Sequence, residues 1–195
     1  MLRLSVLLFF LGTNVVAACP QEVPESGIKL TRTESYFSVV FKKTAAGLSE
    51  ERVMMRDGKQ EKVTTIYPHA LVTGQRTDSR GTLALEYAQP ASDVGNLSKS
   101  GRWVSDFSMK FGAKEIYRGT AKLTYLDQGK VEIGKCSYDV WRIESRLEFQ
   151  GRAPTVFDKY YSPKLGLVLR AVKLTPDRET INGIVYDKIE VVHSD

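Results

Sequence analysis

Cysteine and histidine are nearly absent from this chain of 195 residues, with two of each. A zinc site usually recruits several His or Cys ligands at close spacing. His69 and His193 stand far apart, so no metal site is expected. A His-dependent nucleophile would have to use His69, yet no Gly-x-Ser-x-Gly elbow accompanies it, and a satisfied or surface histidine is the better reading. Gly-rich phosphate loops and dinucleotide fingerprints are missing too, so no cofactor is expected. Adjacent basic residues occur once, at Lys42-Lys43, so the excess of 28 Lys and Arg over 23 Asp and Glu is dispersed. That pattern gives no basic tract for nucleic acid. No apolar run reaches the roughly 20 residues of a membrane span. Internal repeats and low-complexity segments are also missing.

The first residues carry an address. Arg3 is followed by an apolar run over residues 4–11, broken by Ser5, and then by small residues up to Ala17-Ala18-Cys19. Charge, short apolar core and small residues in that order make an export signal over residues 1–18. The mature protein is expected outside the cytoplasm, in the periplasm, where disulfides form and persist.

Cys19 and Cys136 then present a choice. If Ala18 ends a conventional cleavage site, Cys19 opens the mature chain and can pair with Cys136. If the stretch from Val16 to Cys19 is a lipoprotein-type signal, Cys19 carries lipid and anchors the chain to the membrane, leaving Cys136 unpaired. An even count in an oxidising compartment favours the bridge. Such a bridge would close a long loop and restrict the unfolded chain by up to about 4–5 kcal/mol.

Beyond an irregular leader over residues 19–27, period-2 alternation dominates, as in half-buried antiparallel strands. Trp103, Ser105, Phe107, Met109 and Phe111 share one face, opposite Arg102, Val104, Asp106, Ser108 and Lys110. Tyr117, Ala121, Leu123 and Tyr125 form another set, as do Trp141, Ile143, Leu147 and Phe149, and earlier Phe37, Val39 and Phe41. Asp57-Gly58 and Asn182-Gly183 read as hairpin dipeptides. Gly81, Asp127-Gln128-Gly129 and Gly134 mark further turns. Residues 44–51 can hold a short turn, and residues 90–101 read as a loop rather than a helix. The pattern predicts an all-β fold, an antiparallel curved sheet or partly closed half-barrel with little helix. Residues 28–195 form one such domain, with 90–101 as its best seam.

The aromatic load is the sharpest functional signal. Core filling explains it only if something covers the aromatic face, and no covering helix is evident. Trp103, Phe107, Phe111, Trp141 and Phe149 are therefore the candidate residues for a concave face that holds an apolar ligand or lipid, or an envelope protein. The strand carboxylates Asp106, Glu144 and Glu148 sit on polar faces, which are usually solvated. The chain is read as non-enzymatic; an envelope enzyme of unrecognised type and a purely structural protein anchored through Cys19 are the alternatives.

Residues 101–172 carry a resemblance. Gly101-Arg102-Trp103, Tyr117-Arg118-Gly119-Thr120, Val131-Glu132-Ile133-Gly134 and Tyr138-Asp139-Val140-Trp141 lead to Tyr160-Tyr161-Ser162-Pro163-Lys164-Leu165-Gly166. This order resembles bacterial exported half-barrel domains of unknown function, loosely similar to the lipoprotein carriers of the envelope. The resemblance implies a fold and an envelope location, and no catalytic residue.

Overall fold

The computed structural model describes residues 18–56 and 58–193. The expected export signal, apart from Ala18, lies outside the described residues, as does Asp57 of the Asp57-Gly58 dipeptide. Six strands come first: β1 (Ile28–Arg32), β2 (Phe37–Thr44), β3 (Gly47–Arg56), β4 (Lys59–Tyr67), β5 (Gln75–Asp78) and β6 (Gly81–Tyr87). Seven follow: β7 (Arg102–Phe111), β8 (Lys114–Ile133), β9 (Cys136–Phe149), β10 (Arg152–Ser162), β11 (Leu167–Leu174), β12 (Thr180–Ile184) and β13 (Lys188–Val191). They form one antiparallel sheet of 13 strands, ordered β12 through β1 in reverse sequence order and then β13. The all-β expectation holds, and the sheet is not closed into a barrel.

The order of strands dictates how far the sheet curls. Every neighbouring pair runs antiparallel, so the edge strands β12 and β13 point the same way. Only residues 185–187 separate them in sequence. A link that short spans at most about 14 Å, so the two edges must approach each other. The chain thus bridges a seam that no ladder closes. Asp187 pins the bridge: its carboxylate accepts from the Thr33 backbone N–H at 2.7 Å and from the Thr33 hydroxyl at 3.0 Å. Its own N–H donates to the Thr31 carbonyl at 2.9 Å.

Curling lets strands remote in the sheet share a core. Ile28, Leu30 and Val39 of β1 and β2 pack in one cluster with Ile133, Val140, Leu167 and Leu169. A second cluster gathers Trp103, Phe107, Met109, Leu123, Ile143 and Tyr161. Each large side chain fully buried in this way contributes roughly 1.5–3 kcal/mol. The long β8–β9 hairpin serves both clusters. Past a register shift between Tyr125 and Asp127, burial on β9 changes parity, from Ile143 and Ser145 to Val140, Tyr138 and Cys136. Alternation then places opposite faces of one hairpin in the two clusters.

Three local expectations need correction, and the turn expected within residues 44–51 is narrowed. Asn182-Gly183 is no hairpin turn: both residues lie within β12, paired with Lys173 and Val172. Asp127-Gln128-Gly129 is not a turn either, because β8 runs through it with the register shift absorbing the irregularity. Residues 47–51 belong to β3, and the short turn between β2 and β3 is only residues 45–46. Residues 90–101 contain a 3-10 turn, Ala91–Asn96, and a short helix α1, Leu97–Ser100. These turns bury Val94 and Leu97, three residues apart, against the Trp103 cluster. Pairing and tertiary burial override local turn chemistry at each of these places.

Cys19 and Cys136 form a disulfide, with their Cα atoms 5.5 Å apart and a sequence separation of 117. It fastens the leader beside the β8–β9 turn, where Gly134 takes a positive φ of 57°. Between β10 and β11 the Gly166 N–H donates to the Ser162 carbonyl at 2.8 Å.

Candidate functional site

A cavity of about 300 Å³ lies between β2–β4 and β9–β11. Phe41, Leu48, Leu147, Phe157 and Val168 supply much of its wall, with Ile184 and Tyr186 at the seam. Its polar groups reach the inside by strand alternation. On β3, Leu48, Glu50 and Arg52 share one face; Glu50 stands opposite Phe41 on β2 and Thr65 on β4.

Glu50 is only 3% exposed, and its carboxylate is fully engaged. Arg52 donates to Oε1 through Nε at 2.7 Å and through a terminal nitrogen at 2.6 Å. The Tyr67 hydroxyl donates to Oε2 at 2.7 Å. Burial works against the Arg52 charge, but Glu50 outweighs it and holds the guanidinium above its ordinary range. Burial, and then Glu50, push the Tyr67 phenol well up, and burial does the same to Tyr186. Both phenols stay protonated at neutral pH. The Arg52 guanidinium also lies 5.4 Å from the Phe37 ring centre.

The opposite wall carries a charge without a counter-ion. Lys159 on β10 stands across from Ile143 on β9 and Ala171 on β11, and Ala171 in turn from Ile184 on β12. Its ammonium donates to the Leu71 carbonyl at 2.9 Å. Among the described residues no carboxylate pairs with it, and burial lowers its pKa to about 8. Ser145, 7% exposed, lines the same cavity, and its hydroxyl has no hydrogen-bond partner among the described residues. A void of about 30 Å³ adjoins, lined by Lys159, Ser145 and Trp103; it is large enough for one water. The buried Trp103 Nε1 has no partner among the described residues. His69 sits at the margin, its Nδ1 accepting from the Leu71 N–H at 3.2 Å and its ring 5.4 Å from Tyr161. Burial and then the Lys159 charge lower its pKa to about 4.

The five aromatic candidates lie elsewhere. Trp103 and Phe107 are buried in the second cluster, with Trp141 and Phe149 partly buried against it. Phe107 and Phe149 meet edge to face at 5.4 Å. Phe111 is 47% exposed at the end of β7. None of the five lines the 300 Å³ cavity. Phe107 and Phe149 border a wide outer groove of about 680 Å³. The charges along that groove are already matched, Lys110 with Glu86 at 2.7 Å, Arg118 with Glu115 at 2.6 Å and Lys122 with Glu148 at 2.5 Å. Asp106 accepts from the Thr120 hydroxyl at 3.1 Å. Apart from Asp106, the groove therefore offers no uncompensated charge.

Sequence reasoning missed Glu50, Arg52, Ser145 and Lys159. A signal was present for three of them: Glu50, Arg52 and Ser145 fall at the core parity of their strands, beside Leu48 or Leu147, whereas Lys159 alternates with the buried Val156 and Asp158 of β10. Among the described residues no group of three or more His, Cys, Asp or Glu side chains is placed to hold a metal, and no helix is long and apolar enough to cross a membrane. Compared with known proteins, the chain matches no family model, no curated protein and no solved structure.

Proposed function

We propose that this is an exported, non-enzymatic protein that binds a small apolar ligand inside the curled sheet. The observation that carries the reading is the 300 Å³ cavity between β2–β4 and β9–β11. Its size falls at the lower end of ligand pockets, about 300–1,000 Å³. Its walls combine aliphatic and aromatic side chains with a few polar groups, the usual composition of such sites. The site is therefore the cavity rather than the Trp103 face, whose aromatics are largely used in packing.

The Cys19–Cys136 disulfide supports export, since disulfides persist in oxidising compartments. It also favours the bridged over the lipid-anchored form, because a sulfur in a disulfide cannot also carry a thioether-linked lipid. Native mass spectrometry of protein purified from the periplasm, followed by titration with short-chain amphiphiles, tests the proposal. Co-purifying ligand or saturable one-site binding is expected. Absence of both would leave the packed core as the protein's only use of its apolar residues, and the structural reading would replace this one.

A further inference from the structure

We propose that the ligand is a monoanionic amphiphile, a medium-chain carboxylate whose head sits on Lys159 and Ser145 while its single chain fills the apolar cavity. The inference rests on the cavity being the binding site. Its argument is one of charge. Four charged side chains line the space: Glu50, Arg52, Arg76 and Lys159. Glu50 and Arg52 neutralise each other. Arg76 is 38% exposed to solvent at the margin and shares Asp78, at 3.8 Å, with Arg80 at 2.7 Å. Lys159 is left over, with a single neutral acceptor, the Leu71 carbonyl.

An ammonium has three N–H donors, so Lys159 keeps two for another partner. A buried charge is costly unless it is paired, and one added anion brings the interior to neutrality. Ser145 stands opposite Phe157 in the β9–β10 ladder, one inward step from Lys159. Its unpartnered hydroxyl is a second donor for the same anion. A dianion would leave a net negative charge inside, and a neutral alcohol would leave Lys159 as it is. The volume suits one chain and is too small for a diacyl lipid.

The test uses the mature, disulfide-bonded protein and isothermal titration with octanoate, octanol and octyltrimethylammonium. Octanoate is expected to bind at least about tenfold tighter than octanol, as charge-assisted hydrogen bonds allow, and the cation more weakly than either. Lys159→Met should erase the preference for octanoate over octanol, and Lys159→Arg should keep it. Equal affinities for octanoate and octanol in the wild-type protein, or a preference that survives Lys159→Met, overturn the inference and leave the binding function standing. No binding of any of the three overturns both. The wild-type comparison needs no variant, so the outcome does not depend on how the variants fold.

Discussion

The Lys159 ammonium lies 2.9 Å from the Leu71 carbonyl, a contact that spans 88 residues of chain. It ties β10 to the loop between β4 and β5, and it is the only bond the ammonium makes among the described residues. One neutral hydrogen bond does not offset the desolvation of a charge. Lys159→Met should therefore raise stability by about 1–2 kcal/mol after the loss of that bond, read as a higher urea midpoint at pH 7.

The same residue gives the alkaline limb of stability its sign. Lys159 titrates at about 8 when folded, against about 10.4 when unfolded. Between those values the unfolded chain holds a proton that the folded chain has released, so stability rises with pH. The penalty is full below about 8 and gone above the unfolded value. Urea midpoints from pH 8 to 10 should climb less steeply in Lys159→Met than in the wild-type protein.

His69 works in the acid range. Its pKa of about 4 lies below the ordinary 6.5 or so. Above the ordinary value it has no effect. As the pH falls from about 6.5 to 4 the unfolded chain takes up the proton first, and stability declines. His69→Gln should flatten this part of the curve in thermal melts, while the decline due to carboxylates below pH 4 stays.

Glu50 and Arg52 form a buried pair in apolar surroundings. Glu50→Gln keeps the shape and removes the charge that Arg52 needs. A cost of about 3–5 kcal/mol is expected, as for other buried pairs broken on one side. Glu50→Leu combined with Arg52→Met should recover most of it, because no charge is then stranded. A double-mutant cycle in urea measures both values.

Gly119 pairs with Phe107 on β7 and Phe149 on β9. A Cβ added there would lie 1.8 Å from the Glu148 carbonyl oxygen and 3.0 Å from the Phe107 ring. The backbone of β9 has to shift to admit it, so Gly119→Ala should destabilise by about 1–3 kcal/mol, whereas Gly129→Ala, with open space around it, should have a much smaller effect in the same melt.

Much of the architecture was legible along the chain. Alternation on β7 placed Trp103, Ser105, Phe107, Met109 and Phe111 on one face, and all but Phe111 are buried. The leader over residues 19–27 is irregular, and of the two readings the cysteines left open, bridge or lipid anchor, the structure holds the Cys19–Cys136 bridge. The short helix over Leu97–Ser100 was hidden because four residues cannot display a helical period. The cavity was hidden because Glu50, Arg52 and Lys159 read locally as solvated charges.

The residue pattern by itself determined the all-β class and the faces of strands such as β7 and β9, since alternation is a local property, and it left Cys19 open between a bridge and a lipid anchor. Only the tertiary structure decided that the sheet curls until β12 and β13 are separated by residues 185–187. That curl brings β3 over β10 and encloses a matched Glu50–Arg52 pair with an unmatched Lys159. Charge balance inside a closed space depends on which faces meet, and no single strand carries that information.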